Sequence, residues 1–393
     1  MKTLLRCVLK KGREKPLKAF HPWIFSGAID FIDEGYKAGD LIRILAADES
    51  FLGIGSINPA SQITIRMFTF ADEPVDAALF RRKIKEAVKL RGKLTPEGTT
   101  GIRLIHSEGD FLPGLIVDRY GDYLAAQFLT AGIEPWRDTI IQILRESVPV
   151  KGIYERSDPE VRAKEELAPS EGLLWGEEPP ELVAFTENGF QFQADLREGQ
   201  KSGFFLDQRD NRSLIGKLSR DQRVLNCFGY TGAFSVYAGK GGAAQVTTVD
   251  TSQPALDIAR LNLEQNGLLS DKQILVQDDV FKFLRSDQQS YDLIILDPPA
   301  FCKRKDQVEH AARGYKDINL IAFKKLTPGG LLFTSSCSSY VNADLFQKII
   351  FGAAKDSGRE VRILTKTAHA FDHPVSIYHP EGDYLKSLLC QAV

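Results

Sequence analysis

Cysteine is scarce in this chain: five residues in 393, Cys7, Cys227, Cys302, Cys337 and Cys390, an odd number with no C-x-x-C spacing. That excludes a disulfide framework and gives no sign of a structural zinc site. Histidine is thin as well. The six histidines suggest no ligand cluster, so no metal is expected, and His373, just before Pro374, reads as structural. No stretch approaches the roughly 20 apolar residues that a membrane-spanning helix requires. The opening MKTLLRCVLKKGREK has only a short apolar run, broken by Arg6, and lacks the apolar core and small-residue cleavage site of a secretory signal. A cytoplasmic location without a membrane partner is the expectation. Internal repeats and low-complexity tracts are missing too. With 50 basic and 52 acidic residues the net charge is -2, which carries no global signature of nucleic-acid binding.

What is present is an ordinary globular composition, 43% hydrophobic and 26% charged, in a chain long enough for two or three domains. Residues 1–72 read as a small β-rich module, with short strands at Leu41 to Leu45, Phe51 to Ile57 and Ile63 to Phe68 separated by turn residues. Residues 1–70 carry a local charge of +3, with Lys10, Lys11, Arg13, Lys15 and Lys18 crowded near the start; charge alone leaves a solvated edge and an RNA contact equally open. Residues 73–190 begin with a helix over 75–92 that should stop at Gly92. They continue as an α+β unit with strands at Leu115 to Val117, Leu124 to Phe128 and Gly152 to Tyr154 and a helix over Trp136 to Ser147. SEGLLWGEEPPE, within 170–181, reads as a surface connection.

Within 191–393 the rhythm after residue 220 becomes strand, helix, strand, helix. Apolar strands at Val224-Leu225, Val246 to Val249, Ile274 to Val276, Leu293 to Leu296 and Leu331 to Thr334 predict an α/β domain with a doubly wound, mostly parallel sheet. Ser252 should cap the helix that starts near Pro254, and Asn266-Gly267 should end it.

Ligands of such sheets sit beyond the carboxyl ends of the strands. The first strand runs into Cys227-Phe228-Gly229-Tyr230-Thr231-Gly232, and the second ends in Asp250, twenty-one residues after Gly229, where a carboxylate can accept both hydroxyls of a ribose. The turn lacks the tight G-x-G-x-x-G of a pyrophosphate site, so an adenosine ligand without phosphates fits better than a nicotinamide dinucleotide. By itself the glycine pair is equally compatible with a structural turn.

The fourth strand ends in Asp297-Pro298-Pro299-Ala300-Phe301. The prolines remove two backbone donors and stop the strand with a carboxylate at the cleft, suited to the amino edge of a flat base, with Phe301 available to stack. The fifth ends in Ser335-Ser336-Cys337-Ser338, bringing a thiol to the same rim. C5 of cytosine is too weak a nucleophile to attack a methyl sulfonium, but a thiolate adding at C6 turns the ring into an enamine and makes C5 nucleophilic.

These segments, with Gly199 to Arg209 and Arg313-Gly314-Tyr315-Lys316-Asp317-Ile318-Asn319, resemble the 23S rRNA (cytosine-C5)-methyltransferases, and the likeness spans nearly the whole chain. That resemblance implies an N-terminal PUA module opening at His21 to Gly27, a central α+β domain and a Rossmann-like class I methyltransferase domain. It implies S-adenosylmethionine as cofactor and large-subunit rRNA as partner. Phe228, Gly229, Tyr230 and Gly232 would line the cofactor, Asp250 take its ribose, Asp279 hold its adenine amino group, and Gln200, Lys201, Phe204 and Gln208 cover it. Asp297 would touch the cofactor and, with Pro298, Pro299 and Phe301, hold the cytosine, while Cys337 would attack C6. A related branch carries a second cysteine in the fourth-strand motif; here Asp-Pro-Pro stands there and Cys302 follows Phe301, so Cys302 is given no catalytic role and the group that removes the C5 proton is left open.

Two other readings remain at this level. Asp-Pro-Pro followed by an aromatic also marks purine-nitrogen methyltransferases, which need no thiol, and an RNA-binding protein with an inactive enzyme domain would take up no cofactor. A target base inside a duplex would have to be flipped out, with Lys303-Arg304-Lys305 near the cleft available to hold phosphates. A homodimer is left open.

Overall fold

A computed structural model describes residues 4–302 and 304–393. The chain forms two compact units: one holds the chain up to Gly189 with Ala194–Leu206 and Phe371–Gly382, the other Phe190–Gln193, Asp207–Ala370 and Asp383–Val393. No helix among the described residues is long and apolar enough to cross a membrane.

In the first unit, a six-stranded sheet runs in the order Trp23–Phe25, Ile63–Thr69, Phe51–Ile57, Leu41–Leu45, Leu5–Leu9, Ile29–Ile32. Alternation along its strands buries Cys7, Leu9, Ile42, Ile44, Ile65 and Met67 in one cluster. Gly55 is required where two strands meet, because a Cβ there would stand 2.5 Å from the carbonyl oxygen of Arg66. The following helix, Ala77–Leu94, starts where the Asp76 side chain accepts from Ala78 N and Leu79 N. It runs through Gly92 rather than stopping there. The break comes at Thr95, held extended at ψ 125°, because the ring of Pro96 disfavours helical backbone in the residue before it.

A five-stranded sheet follows, ordered Glu171–Gly176, Gly152–Arg156, Tyr123–Phe128, Leu115–Tyr120, Gly101–His106. Its edge corrects the reading of 170–181 as a plain connection: Glu171–Gly176 pairs antiparallel with Gly152–Arg156. Gly172 adopts positive φ inside the strand and Gly176 ends it, and Trp175 packs under the Arg145 guanidinium, 4.4 Å from its ring centre.

The second unit is built on a seven-stranded sheet whose strands we number in chain order: β1 Arg223–Cys227, β2 Gln245–Asp250, β3 Gln273–Gln277, β4 Tyr291–Leu296, β5 Leu326–Ser336, β6 Val361–Thr367 and β7 Lys386–Ala392. They lie in the order β3-β2-β1-β4-β5-β7-β6. The first five are mutually parallel, and β7 runs antiparallel to both neighbours. Both faces are buried. Leu293 and Ile295 pack with Phe234 and Phe333, whereas Ile294 and Leu296 pack with Ile318 and Phe323. Helices α1 Arg209–Leu218, α2 Ala233–Lys240, α3 Gln253–Gln265, α4 Val280–Ser286, α5 Val308–Lys325 and α6 Ala343–Ser357 complete the layers. Ser252 caps α3 through Ala255 N at 3.3 Å, and Gly267 takes φ +64° just beyond its end. This is the α/β fold with a mostly parallel sheet expected from the strand rhythm, its strand ends converging on one rim.

Candidate active site

The turn after β1 is held in an uncommon backbone state. Phe228, Tyr230 and Gly232 have φ of +58°, +47° and +73°, a region costly for residues with a Cβ and concentrated at functional loops. Gly229 presses against the sheet, where an added Cβ would stand 2.3 Å from Thr248 Cγ2. At the end of β2, Asp250 braces this turn: Oδ2 accepts from Tyr230 N and Oδ1 from Ser252 N, both at 2.9 Å. Each oxygen keeps a further lone pair, so the fixed carboxylate suits the two hydroxyls of a nucleoside ribose. Asp279 caps α4, accepting from Lys282 N at 3.0 Å.

Asp297 follows β4 directly, with Pro298 buried and Pro299 exposed. Gln208 Nε2 donates to Asp297 Oδ1 at 2.8 Å, and Asn211 Nδ2 donates to Gln208 Oε1 at 2.6 Å. Phe301 is half-buried, its ring 4.6 Å from Tyr315, 5.9 Å from Phe281 and 6.4 Å from Phe228. It belongs to an aromatic cluster of the protein itself.

Cys337 follows β5 and is half-buried. The flanking serines tie its turn down. Ser336 Oγ donates to the Tyr315 hydroxyl at 3.0 Å, and Ser338 Oγ lies 2.9 Å from the same hydroxyl. Cys302 N donates to Ser338 Oγ at 3.2 Å, joining the loop after Asp-Pro-Pro to the cysteine turn. The Cys302 thiol is buried and donates to the Arg304 carbonyl. Lys386, first residue of β7, donates from Nζ to the Ser338 carbonyl at 2.7 Å. Burial lowers the lysine to about 8, opposed by the nearby Cys337 and Asp383. Burial also raises the Tyr315 phenol, so it stays neutral, and pushes the structural thiols Cys7 and Cys390 up to about 12.

The second unit thus brings Phe228, Gly229, Tyr230, Gly232, Asp250, Asp279, Asp297, Pro298, Pro299, Phe301, Cys337 and Gln208 onto the strand ends and turns of one sheet. Gln200, Lys201 and Phe204 belong to the first unit. There Phe204 is buried with its ring 4.9 Å from Phe185, and Lys201 Nζ lies 4.6 Å from the centre of the Phe205 ring. Lys303 lies outside the described residues, while Arg304 and Lys305 are exposed. Sequence reasoning missed Lys386, for which no local pattern spoke. It gave no role to Tyr315, although the Arg313 to Asn319 segment marked the place.

A family profile described as S-adenosylmethionine-dependent methyltransferase matches residues 162–356, and one described as a PUA-like domain matches residues 8–70. Ribosomal RNA large subunit methyltransferase I of Aeromonas hydrophila is 48% identical over 390 residues, spanning 98% of each chain. The protein of the same name in Pseudoalteromonas translucida is 45% identical over 388 residues with the same coverage. This chain belongs to that family of S-adenosylmethionine-dependent methyltransferases. The methyltransferase shares its fold with a Streptococcus mutans protein described as SAM-dependent, at TM-score 0.85 and 24% identity over 99% of this chain and 100% of that one. A methyltransferase solved with S-adenosylhomocysteine superposes at 0.86 with the same identity and coverage. The donor set described above fits such a cofactor, since a rigid carboxylate stands where a ribose is expected beside a strained glycine turn.

Proposed function

We propose that this methyltransferase modifies C5 of a cytosine in large-subunit rRNA, with Cys337 as covalent nucleophile. The observation that carries the reading is the placement of a thiol and a carboxylate past the ends of neighbouring parallel strands: Leu296 pairs with Thr334, so Asp297 and Cys337 leave the sheet on the same rim. The printed name of the relatives supports rRNA as the substrate.

Bound S-adenosylmethionine supplies an electrophilic methyl group. Asp250 would hold its ribose and the turn from Phe228 to Gly232 its methionine end. Asp297, oriented by Gln208, accepts from the amino edge of the cytosine. The Cys337 thiolate forms a bond to C6, and the electron pair displaced from the C5–C6 double bond makes C5 the nucleophile that would take the methyl group, leaving S-adenosylhomocysteine. Loss of the C5 proton to a base then restores that double bond and expels the thiolate. A base stacked in a duplex hides C6, so the target is presented unstacked. The exposed Lys10, Lys11, Arg13, Lys15 and Lys18 of the first unit supply phosphate contacts, and affinity should fall steeply with salt.

The test is an rRNA fragment carrying 5-fluorocytosine, in which the fluorine blocks proton loss and traps the adduct. A covalent complex at the Cys337 peptide, absent in Cys337→Ala, is expected. Methyl transfer to a purine that survives in Cys337→Ala would replace this reading with a ring-nitrogen reaction, and failure to take up S-adenosylmethionine would replace it with RNA binding alone.

A further inference from the structure

The geometry points to Lys386 as the residue that holds the Cys337 sulfur in its thiolate form. This rests on the reading of Cys337 as nucleophile and adds a partner to it.

Lys386 opens β7 directly across from Ser336, the last residue of β5. Paired residues of an antiparallel ladder project to the same face, so the lysine stem leaves the sheet beside the turn that begins at Cys337. Its Nζ is anchored 2.7 Å from the carbonyl oxygen of Ser338, the residue after the thiol. A lysine of this kind has one donor committed and two more to offer. It is half-buried, where charges are screened less than at the surface.

Among the described residues, the groups around the pair leave few other sources of charge. Tyr315 faces the cysteine turn from α5 and remains neutral, Asp383 precedes β7 and favours the ammonium, and Asp297 stands at the end of β4, engaged by Gln208. Burial disfavours the lysine cation, lowering it to about 8, near the value of an ordinary thiol of about 8.5. Burial disfavours a lone thiolate in the same way, so each charge offsets the cost of the other. The thiol proton passes to the neutral amine, giving thiolate and ammonium with no change in the net charge of the pair. When the sulfur is expelled from C6 it returns to the same cation. Lys386 therefore acts through Cys337 as a positioning residue.

The test is the pH profile of Cys337 alkylation by iodoacetamide in the full-length protein, read by mass spectrometry on the Cys337 peptide. The wild-type midpoint should lie below that of an ordinary thiol. Lys386→Gln, which keeps a donor for Ser338 but no charge, should raise it by about one pH unit or more, and Lys386→Arg should restore most of the shift. An unmoved midpoint in Lys386→Gln overturns the inference. Should that variant fail to fold, the reciprocal measurement serves: in Cys337→Ala the reactivity of Lys386 toward acetic anhydride should titrate at lower pH than in wild type, and an unchanged titration overturns the inference equally. The fluorocytosine adduct is independent of these readouts. An adduct without an alkylation shift removes Lys386 alone, whereas a shift without an adduct supports the pair and removes the cytosine-C5 reading.

Discussion

Gln208 and Asp297, 89 residues apart in the chain, are joined by a hydrogen bond of 2.8 Å from the amide Nε2 to the carboxylate Oδ1. The amide cannot turn over without loss, because its oxygen already accepts from Asn211 Nδ2 at 2.6 Å. Asn211 in turn donates to the Ala368 carbonyl. A relay of two side chains, anchored on a main-chain carbonyl, therefore aims the carboxylate of the Asp-Pro-Pro turn from behind, and Gln208 is 2% exposed, so water cannot substitute for it.

Replacing Gln208 by Leu should slow methyl transfer by about 10- to 100-fold. The hydrogen bond is made to a charged group, worth about 1.5–3 kcal/mol, and each 1.36 kcal/mol is a factor of about ten in rate. Asn211→Ala should move the rate the same way but less, since it frees only the amide flip. Single-turnover kinetics with saturating cofactor measures both, and a rate for Gln208→Leu within twofold of wild type would refute the relay.

Gly232→Ala should destabilise the second unit by about 1–3 kcal/mol. The left-handed backbone at φ +73° costs a residue with a Cβ roughly 1–2 kcal/mol, and the new carbon would stand 2.8 Å from Ala259 Cβ. Gly267→Ala is the control: φ is +64°, but nothing lies within 4 Å of the added carbon, so only the backbone cost applies. Thermal melts of the two variants should differ by the steric contribution, and equal melting temperatures would show that α3 yields at no cost.

The strand ends of β1, β2 and β4 were legible because each apolar run is punctuated at its carboxyl end by a candidate site residue: the glycine turn after Cys227, Asp250, and Asp297 before two prolines. Burial of both faces makes such strands continuous hydrophobic runs, recognised by their short length and the turn residues that bound them rather than by period. Lys386 was not legible for the opposite reason. It enters the site from β7, which returns antiparallel from the end of the chain, and the pairing that sets it across from Ser336 is a tertiary fact. For Asp279 the adenine role came from the family resemblance alone, and the structure adds a second role that the sequence did not suggest, capping α4 through Lys282 N. Gly92 and the glycines of 171–176 misled in different ways: a glycine with ordinary helical backbone need not break a helix, and an edge strand tolerates glycines at positive φ. Gly92 has open space around it within a continuing helix, and the flanking Gly172 and Gly176 let an edge strand carry Leu173 to Trp175.

Lys83 gives the first unit a pH-dependent stability. Burial lowers it to about 8, although Nζ donates to the carbonyls of Phe68 and Phe111. In the unfolded chain a lysine titrates near 10.4. Between pH 8 and 10.4 the unfolded state therefore binds more protons than the folded one, and stability rises with pH across that window. Below pH 8 both states carry the proton and this slope vanishes. Urea midpoints of wild type and Lys83→Met at pH 7.5, 9 and 10 isolate the effect: the stability of the variant relative to wild type should fall as pH rises. A difference that stays constant would mean the lysine keeps its proton when folded.

Asp250→Asn should weaken S-adenosylmethionine binding by about 10- to 100-fold while leaving RNA affinity within about twofold. Both carboxylate oxygens accept backbone N–H groups, from Tyr230 and Ser252. An amide keeps one acceptor and turns its NH2 toward the other donor, so the variant loses both the turn's brace and an acceptor for a ribose hydroxyl. Charge-assisted hydrogen bonds of this kind are worth about 1.5–3 kcal/mol, and each 1.4 kcal/mol is tenfold in Kd. Asp279→Ala separates the two contributions, because its measured cost should include about 1 kcal/mol of stability for the lost cap of α4 as well as any loss of affinity. Calorimetry with S-adenosylmethionine, beside filter binding of an rRNA fragment, reads both variants. If Asp250→Asn binds the cofactor as wild type does, the carboxylate serves the Phe228–Gly232 turn alone and the ribose must be held elsewhere.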